Sequence, residues 1–245
     1  MQKPDLSRVT LVTVDTVCHE LTRLALDTCT AAVDYGAVLV LSDKKIGDYG
    51  WVTFNGTSPK DVSDAYYKTL PFLVQTDYMM IVHWDSWIIN PSHWRDAFLA
   101  FDYIGAPWWH NVHNVGNSGF SIRSIKMARY IAESTLEHDF PDDDVICRRH
   151  RPALEAAGFR FAPSELAGYF AFERNILYPI DRVFGFHGMF NWPHVLTDQE
   201  LDKRVALAPP YVLKNIHFAQ MLDVLNKLRR PLPIPPSIAC RAEAQ

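Results

Sequence analysis

No apolar run in the 245 residues reaches the roughly 18 needed to cross a bilayer, and the opening MQKPDLSRVT has no charged-then-apolar leader pattern. Basic residues are not in excess: 24 Lys and Arg stand against 28 Asp and Glu, which excludes the electrostatic footprint of a nucleic-acid groove. The short cluster Arg148, Arg149 and Arg151 reads as a solvated helix face. Cys18, Cys29, Cys147 and Cys240 form no CxxC pair and no metal-type spacing. They read as reduced structural thiols, which points to a cytoplasmic setting. No internal repeat and no linker divides the chain. The expected organisation is one domain over residues 1–230 with a proline-rich tail over 231–245. Also missing is a glycine-rich basic loop after the first apolar run, where TVDTVCHEL stands instead, and this argues against a nucleotidyltransferase.

What is present is an α/β pattern. Val9 to Val14 is a continuous β-branched run ending in Asp15-Thr16. Leu21, Leu24, Ala25, Thr28, Cys29 and Ala32 then recur at helical spacing, and Ala37 to Leu41 is a second apolar run closed by Ser42-Asp43. Strand, helix and strand in this order make a βαβ unit, whose doubly buried parallel strands do not alternate. Ligands of such open sheets sit beyond the carboxyl ends of the strands, where Asp15-Thr16 and Ser42-Asp43 lie. Further expectations are a short strand at Trp51 to Phe54, a helix from Asp61 to Val74 capped by Ser58-Pro59, and a buried strand at Tyr78 to Val82. Short helices follow at Ser92 to Ala100, Ser124 to Glu137 and Val145 to Gly158. The sequence predicts loop over Phe101 to Ser121, a polar turn over His138 to Asp144, a strand at Tyr169 to Phe172 and a closing helix from Leu213 to Arg229.

Four places carry residue types suited to chemistry. His83 and Asp85 stand two apart at the end of the Tyr78–Val82 strand, so alternation would point both to one side. An imidazole and a carboxylate there suit Mn²⁺ or Mg²⁺; the alternative is a hydrogen-bonded polar pair. Asp142, Asp143 and Asp144 either cap a helix in water or turn one member into a cleft as a general base. His187, in GFHG, is a structural histidine or a metal ligand. Asn117-Ser118-Gly119 beside Trp108 and Trp109 suits hydroxyl recognition with ring stacking, though generic turns share that composition. The 13% aromatic content fits sugar-ring platforms and a Trp-rich core equally.

In order, these pieces form a resemblance. HWDSWIINP resembles the DxD strand of GT-A glycosyltransferases, with His83 at the first acidic position. FDYIGAPWW, VGNSGFSIRS, DDDVI, FAFE and GFHG resemble the FDYIGAPW, GNGGFSLRS, EDV, FSVE and late GxH motifs of an uncharacterised glycosyltransferase-like domain family. The likeness runs over roughly residues 9 to 190. It implies a GT-A-like α/β fold, with a Rossmann-like nucleotide half continuous with a mixed-sheet acceptor half. It also implies Asp85, with His83 and His187, as ligands of Mn²⁺ or Mg²⁺. Asp144 aligns with the Asp of EDV as general base, Asp143 takes the acidic place before it, and the run of three leaves that register open by one. Val14, Asp15, Thr16 and Asp43 would line the nucleotide pocket, and Trp108, Asn117, Ser118 and Gly119 would meet sugar. The one departure is His83, whose neutral ring gives less charge than an acid and makes metal affinity weaker and pH-dependent.

The implied activity is inverting, metal-assisted transfer of a sugar, of the hexosyltransferase class, from a UDP- or GDP-sugar to a glycan or other acceptor hydroxyl. The rival readings are a nucleotidyltransferase of similar fold and a non-catalytic nucleotide-sugar or glycan-binding module, which turnover separates from an enzyme.

Overall fold

The computed structural model describes residues 3–109 and 115–233. In chain order the first elements are β1 (Asp5–Val14), α1 (His19–Ala32), β2 (Asp34–Ser42), β3 (Gly50–Thr53), α2 (Pro59–Lys68), α3 (Leu70–Leu73) and β4 (Tyr78–Val82). Next come β5 (Trp87–Ile88), β6 (Tyr103–Ile104), β7 (Phe120–Ser124), α4 (Ile125–Glu133), α5 (Asp142–Asp144), α6 (Arg151–Ala156) and α7 (Ser164–Phe170). β8 (Ala171–Phe172), β9 (Gly185–Phe186), α8 (Trp192–Val195), α9 (Asp198–Leu207), α10 (Pro210–Leu213) and α11 (Ile216–Leu228) complete the described chain.

The architecture is mixed α/β. A six-stranded sheet runs β3-β2-β1-β4-β7-β6, with β3, β2, β1 and β4 parallel and β7 antiparallel to both its neighbours. Its central strands lack alternation because both faces are covered. Leu11 and Met80 pack into the core that contains Leu21, Leu26 and Cys29 of α1. Val12 and Ile81 pack into a second core with Tyr66 of α2, Leu70 of α3 and Ala128 of α4. Helix starts follow local chemistry. Ser58 forms a reciprocal capping box with Asp61 at α2, and Ser124 accepts from the Met127 N–H at α4; such caps contribute about 1 kcal/mol each.

A second sheet, β5-β9-β8, is small but positions the candidate residues Glu173 and His187. β5 pairs antiparallel with β9, Trp87 opposite Phe186, so the residues just before Trp87 lie beside those just after Phe186. β8 pairs parallel with β9, Phe172 opposite Phe186, which sets Glu173 beside His187. Two-residue strands define this register only because their side chains are locked in the core: Trp87 meets Phe186 edge-on at 4.6 Å.

Several expectations change. The Ser92–Ala100 helix is two 3₁₀ turns, Pro91–His93 and Asp96–Ala100, split by extended backbone at Trp94 and Arg95. The Phe101–Ser121 loop contains β6 and the start of β7. Tyr169–Phe172 is not one strand: α7 runs through Phe170, and only Ala171–Phe172 is extended. The Val145–Gly158 helix is divided at His150, two residues before Pro152, into a π-helical turn over Val145–Arg149 and α6. In α1 the buried stripe includes Thr22 and Leu26, while Leu24, Thr28 and Ala32 are half-buried. Residues 234–245 of the expected tail, with Cys240, lie outside the described residues, as do 110–114 of the aromatic loop.

Candidate metal centre

β4 ends at Val82, so strand alternation is not what brings His83 and Asp85 together. The chain turns instead, with the Ser86 N–H donating to the His83 carbonyl at 3.1 Å. The turn is pinned from the neighbouring strand: the His83 N–H and the Ser86 hydroxyl both donate to the Gly119 carbonyl, at 3.0 and 2.5 Å. The Asp85 carboxylate then accepts the Met189 N–H at 3.0 Å, tying this turn to the segment after His187.

His83, Asp85 and His187 each offer one ligand atom, and these atoms all lie within 4.8 Å of one another. Two ring nitrogens and a carboxylate oxygen form a borderline-to-hard donor set that fits Mn²⁺ better than Mg²⁺. His187 Nε2 stands 3.5 Å from Asp85, and its Nδ1 stands 3.3 Å from Glu173. A carboxylate behind a metal histidine fixes its tautomer and orientation. Asn191 locks that pair by donating to the backbone carbonyls of both Glu173 and His187.

Two carboxylates beside His187 set the electrostatics of the cluster. Burial works against a charged His187, but Asp85 and Glu173 outweigh it and raise its pKa to about 10. Burial alone would raise Asp85 and Glu173; the adjacent His187 outweighs it and holds both below the usual carboxylate range. Burial, then His187, lowers His83 to about 4, so it is a neutral ring, with the Tyr66 hydroxyl 3.0 Å from its Nε2. A cation bound by His187 would therefore displace one proton from it. Mn²⁺ affinity should rise on the order of tenfold per pH unit from about pH 6 and level off as His187 deprotonates; calorimetry in buffers of different ionisation enthalpy counts the proton. The same shift stabilises the metal-free fold fully below the ring's ordinary 6.5, and that contribution is lost as pH rises through about 10.

The sugar candidates occupy different roles. Gly119 lies under the His187 ring: a Cβ there would come 2.1 Å from Nε2. Asn117, in left-handed backbone at φ 72°, holds its amide nitrogen 2.8 Å from His187 Nδ1 and also donates to Glu173. Its side-chain oxygen Oδ1 accepts the Phe120 N–H. Ser118 is buried between Arg123 and Asp142. Trp108 is a core residue 8% exposed, with Gly116 against its ring. Gly119→Ala should displace the His187 ring and weaken Mn²⁺ binding by about 10–100-fold, the range seen when support of a metal ligand is lost. Titration calorimetry alongside a melting curve reads this.

The acidic triplet divides three ways. Asp142 forms a buried ion pair with Arg123 at 2.6 Å, and removing either partner alone would cost about 3–5 kcal/mol. Asp144 is taken by Arg148 and Arg149 on the helix surface. For Asp143 no such ion pair is found among the described residues; burial first, then the charges of Asp142 and Glu173, raise its pKa to about 7. The nucleotide candidates lie at the ends of β1 and β2. Val14 is buried, Asp15 accepts from the Val17 and Cys18 N–H groups and the Thr22 hydroxyl, and Thr16 donates to the Gly56 carbonyl. Asp43 is exposed and pairs with His19 at 2.6 Å.

A cavity of about 220 Å³ opens on the cluster, lined by His83, Asp85, Glu173 and His187. Trp84, Phe190, Tyr211, Asn215 and His217 also line it. The residues from α10 and α11 carried no signal in the sequence, because they lie beyond the last motif. A larger groove of about 660 Å³, between the start of β4 and α4, lies at the opposite end of the strands and lacks these ligands. No described helix is long and apolar enough to cross a membrane.

Residues 56–187, more than half of the chain, match the family described as "Protein of unknown function (DUF5672)". No curated protein matches the sequence. Among solved structures, the chain is similar to "a glycosyltransferase involved in the glycosylation of the major capsid of PBCV-1", at TM-score 0.44 and 10% identity, covering 73% of this chain and 91% of that one.

Proposed function

The chain belongs to the family of unknown function DUF5672, and from that premise we propose that it is a metal-assisted glycosyltransferase. It moves a sugar from a nucleotide-sugar, UDP- or GDP-linked, to an acceptor hydroxyl. The observation that carries this reading is the His83, Asp85 and His187 cluster at the carboxyl end of β4, next to β1. β1 is where the strand order reverses, the usual ligand crevice of an open α/β sheet. The motif order from HWD through FDYIGAPW and GNSGFSIRS to GFHG supports the same reading.

The residues fit a resident divalent cation: two imidazoles, a carboxylate, and Glu173 behind His187. Such an ion supplies charge neutralisation for a departing diphosphate. The nucleoside lies along the ends of β1 and β2, past Val14, Asp15, Thr16 and Asp43; Asp15 shapes that loop, and Asp43, paired with His19, stands at its exposed edge. The 220 Å³ cavity has the room of about seven waters at ~30 Å³ each, which suits one sugar ring and leaves the nucleoside outside. Phe190, Tyr211 and Trp84 supply its apolar walls, and Asn215 and His217 its polar contacts. Asp143 takes the proton of the acceptor hydroxyl, in place of Asp144, whose carboxylate is committed to arginines. Attack from the side opposite the leaving diphosphate inverts the anomeric centre.

The screen that tests this incubates the protein with UDP-, GDP-, TDP- and CMP-sugars and Mn²⁺ and measures released nucleotide. Release from one donor, lost with chelator, supports transfer; release from none, alongside tight nucleotide-sugar binding, makes the protein a binding module. Two imidazoles and a carboxylate are also the ligand set of non-haem Fe(II) oxygenases. Oxygen uptake by the Fe(II)-loaded protein would favour that second reading.

A further inference from the structure

Both histidines of the cluster rest on one three-residue saddle, Asn117-Ser118-Gly119. Asn117 touches His187 Nδ1, Gly119 lies flat beneath the same ring, and the Gly119 carbonyl receives the His83 N–H. The saddle is an unfavourable conformation to hold, since Asn117 sits at φ 72°. Its middle residue is what fastens it. The Ser118 hydroxyl donates to Asp142 Oδ2 at 2.9 Å and accepts from Arg123 Nη2 at 2.9 Å, while Arg123 and Asp142 meet at 2.6 Å. All three side chains are buried.

The same arginine reaches the second histidine by another route. Its guanidinium lies 5.5 Å from the Tyr66 ring centroid, and the Tyr66 hydroxyl is 3.0 Å from His83 Nε2. Tyr103, 5.3 Å from the guanidinium on its own ring, donates to the Asn117 carbonyl at 2.7 Å. Asp142 is anchored in turn by Tyr67, whose hydroxyl donates to its carbonyl.

We infer that the buried Arg123–Ser118–Asp142 triad is a positioning device that holds His83 and His187 in register for a divalent cation. It touches neither cation nor substrate. Asp142 therefore works as a strut, a role distinct from that of its neighbour Asp143. The inference rests on the metal reading of the cluster. It also concerns the metal-free protein, where the triad should fix both rings before any ion arrives.

Removing one charge alone strands the other and risks the fold, so two milder variants make the test. Ser118→Ala removes only the bridging hydroxyl. The double variant Arg123→Met with Asp142→Leu removes both charges together. Each is compared with the wild-type full chain by thermal melting, by Co²⁺ titration followed through the visible absorption of the bound ion, and by a metal-free crystal structure. The expected result is a folded Ser118→Ala protein with Co²⁺ bound about 10–100-fold more weakly, an altered absorption envelope, and His187 moved relative to Asp85. The double variant should do the same with a larger shift if it folds. A folded Ser118→Ala protein with wild-type Co²⁺ affinity, spectrum and ring positions overturns the inference. If the wild type itself binds no Co²⁺, the metal reading fails, and the metal-free structure alone decides whether the triad positions the rings.

Discussion

Asp85→Asn should abolish Mn²⁺-dependent binding of a nucleoside diphosphate while leaving the fold intact. The asparagine keeps a carbonyl oxygen for the Met189 N–H, a buried donor whose loss would otherwise cost about 1–3 kcal/mol. What disappears is the one negative charge among the three ligand side chains. Supporting partners of metal ligands are worth about 10–100-fold in affinity, so a ligand that also carries the charge should exceed that range. His83→Ala should cost less, because the ring it removes is neutral. Calorimetry with UDP and GDP, with and without chelator, gives both numbers. Equal binding by wild type and Asp85→Asn would mean that the turn after β4 has no metal role.

Asp143→Asn should lower the transfer rate by about 10²–10⁴-fold, the usual worth of a general base, with donor Kd almost unchanged. Base catalysis acts on the acceptor hydroxyl and contributes little to holding the donor. Asp144→Asn should retain most activity, since it loses surface ion pairs with Arg148 and Arg149. A base must be deprotonated, and burial with neighbouring charge places Asp143 near 7. The rate should therefore rise with pH through about 7, and Asp143→Asn should remove that limb. A large loss in Asp144→Asn with little in Asp143→Asn would restore the alignment of Asp144 with the Asp of EDV.

The parallel strands of the amino-terminal half are legible because they form continuous apolar runs, most of them covered on both faces. Tyr78–Val82 appears with its ends unchanged, and Trp51–Phe54 within a residue. The second sheet was hard to read for the opposite reason: β5, β8 and β9 have two residues each, too few to show any period. Yet that sheet places His187 and Glu173, so the candidate residue types were readable and their geometry was not. Asn117, Ser118 and Gly119 were visible as special residues, but composition alone does not distinguish a turn that meets sugar from one that seats a histidine. The difference lies in Arg123 and Asp142, which are five and 24 residues from Ser118 and converge only in the fold. Asp142–Asp144 shows the same limit, since one helical turn sends Asp142 to a buried arginine and Asp144 to surface arginines, with Asp143 half-buried between them.

The most direct measurement is a crystal structure of the protein with Mn²⁺ and UDP or GDP, with the ion located by its anomalous signal. The account predicts one peak bounded by Asp85, His83 and His187, with the ring nitrogens roughly 2.0–2.3 Å from it, near usual metal–nitrogen distances, and diphosphate oxygens completing its shell. A diphosphate bound with no ion, or an ion held elsewhere while His187 stays between Asp85 and Glu173, would contradict it.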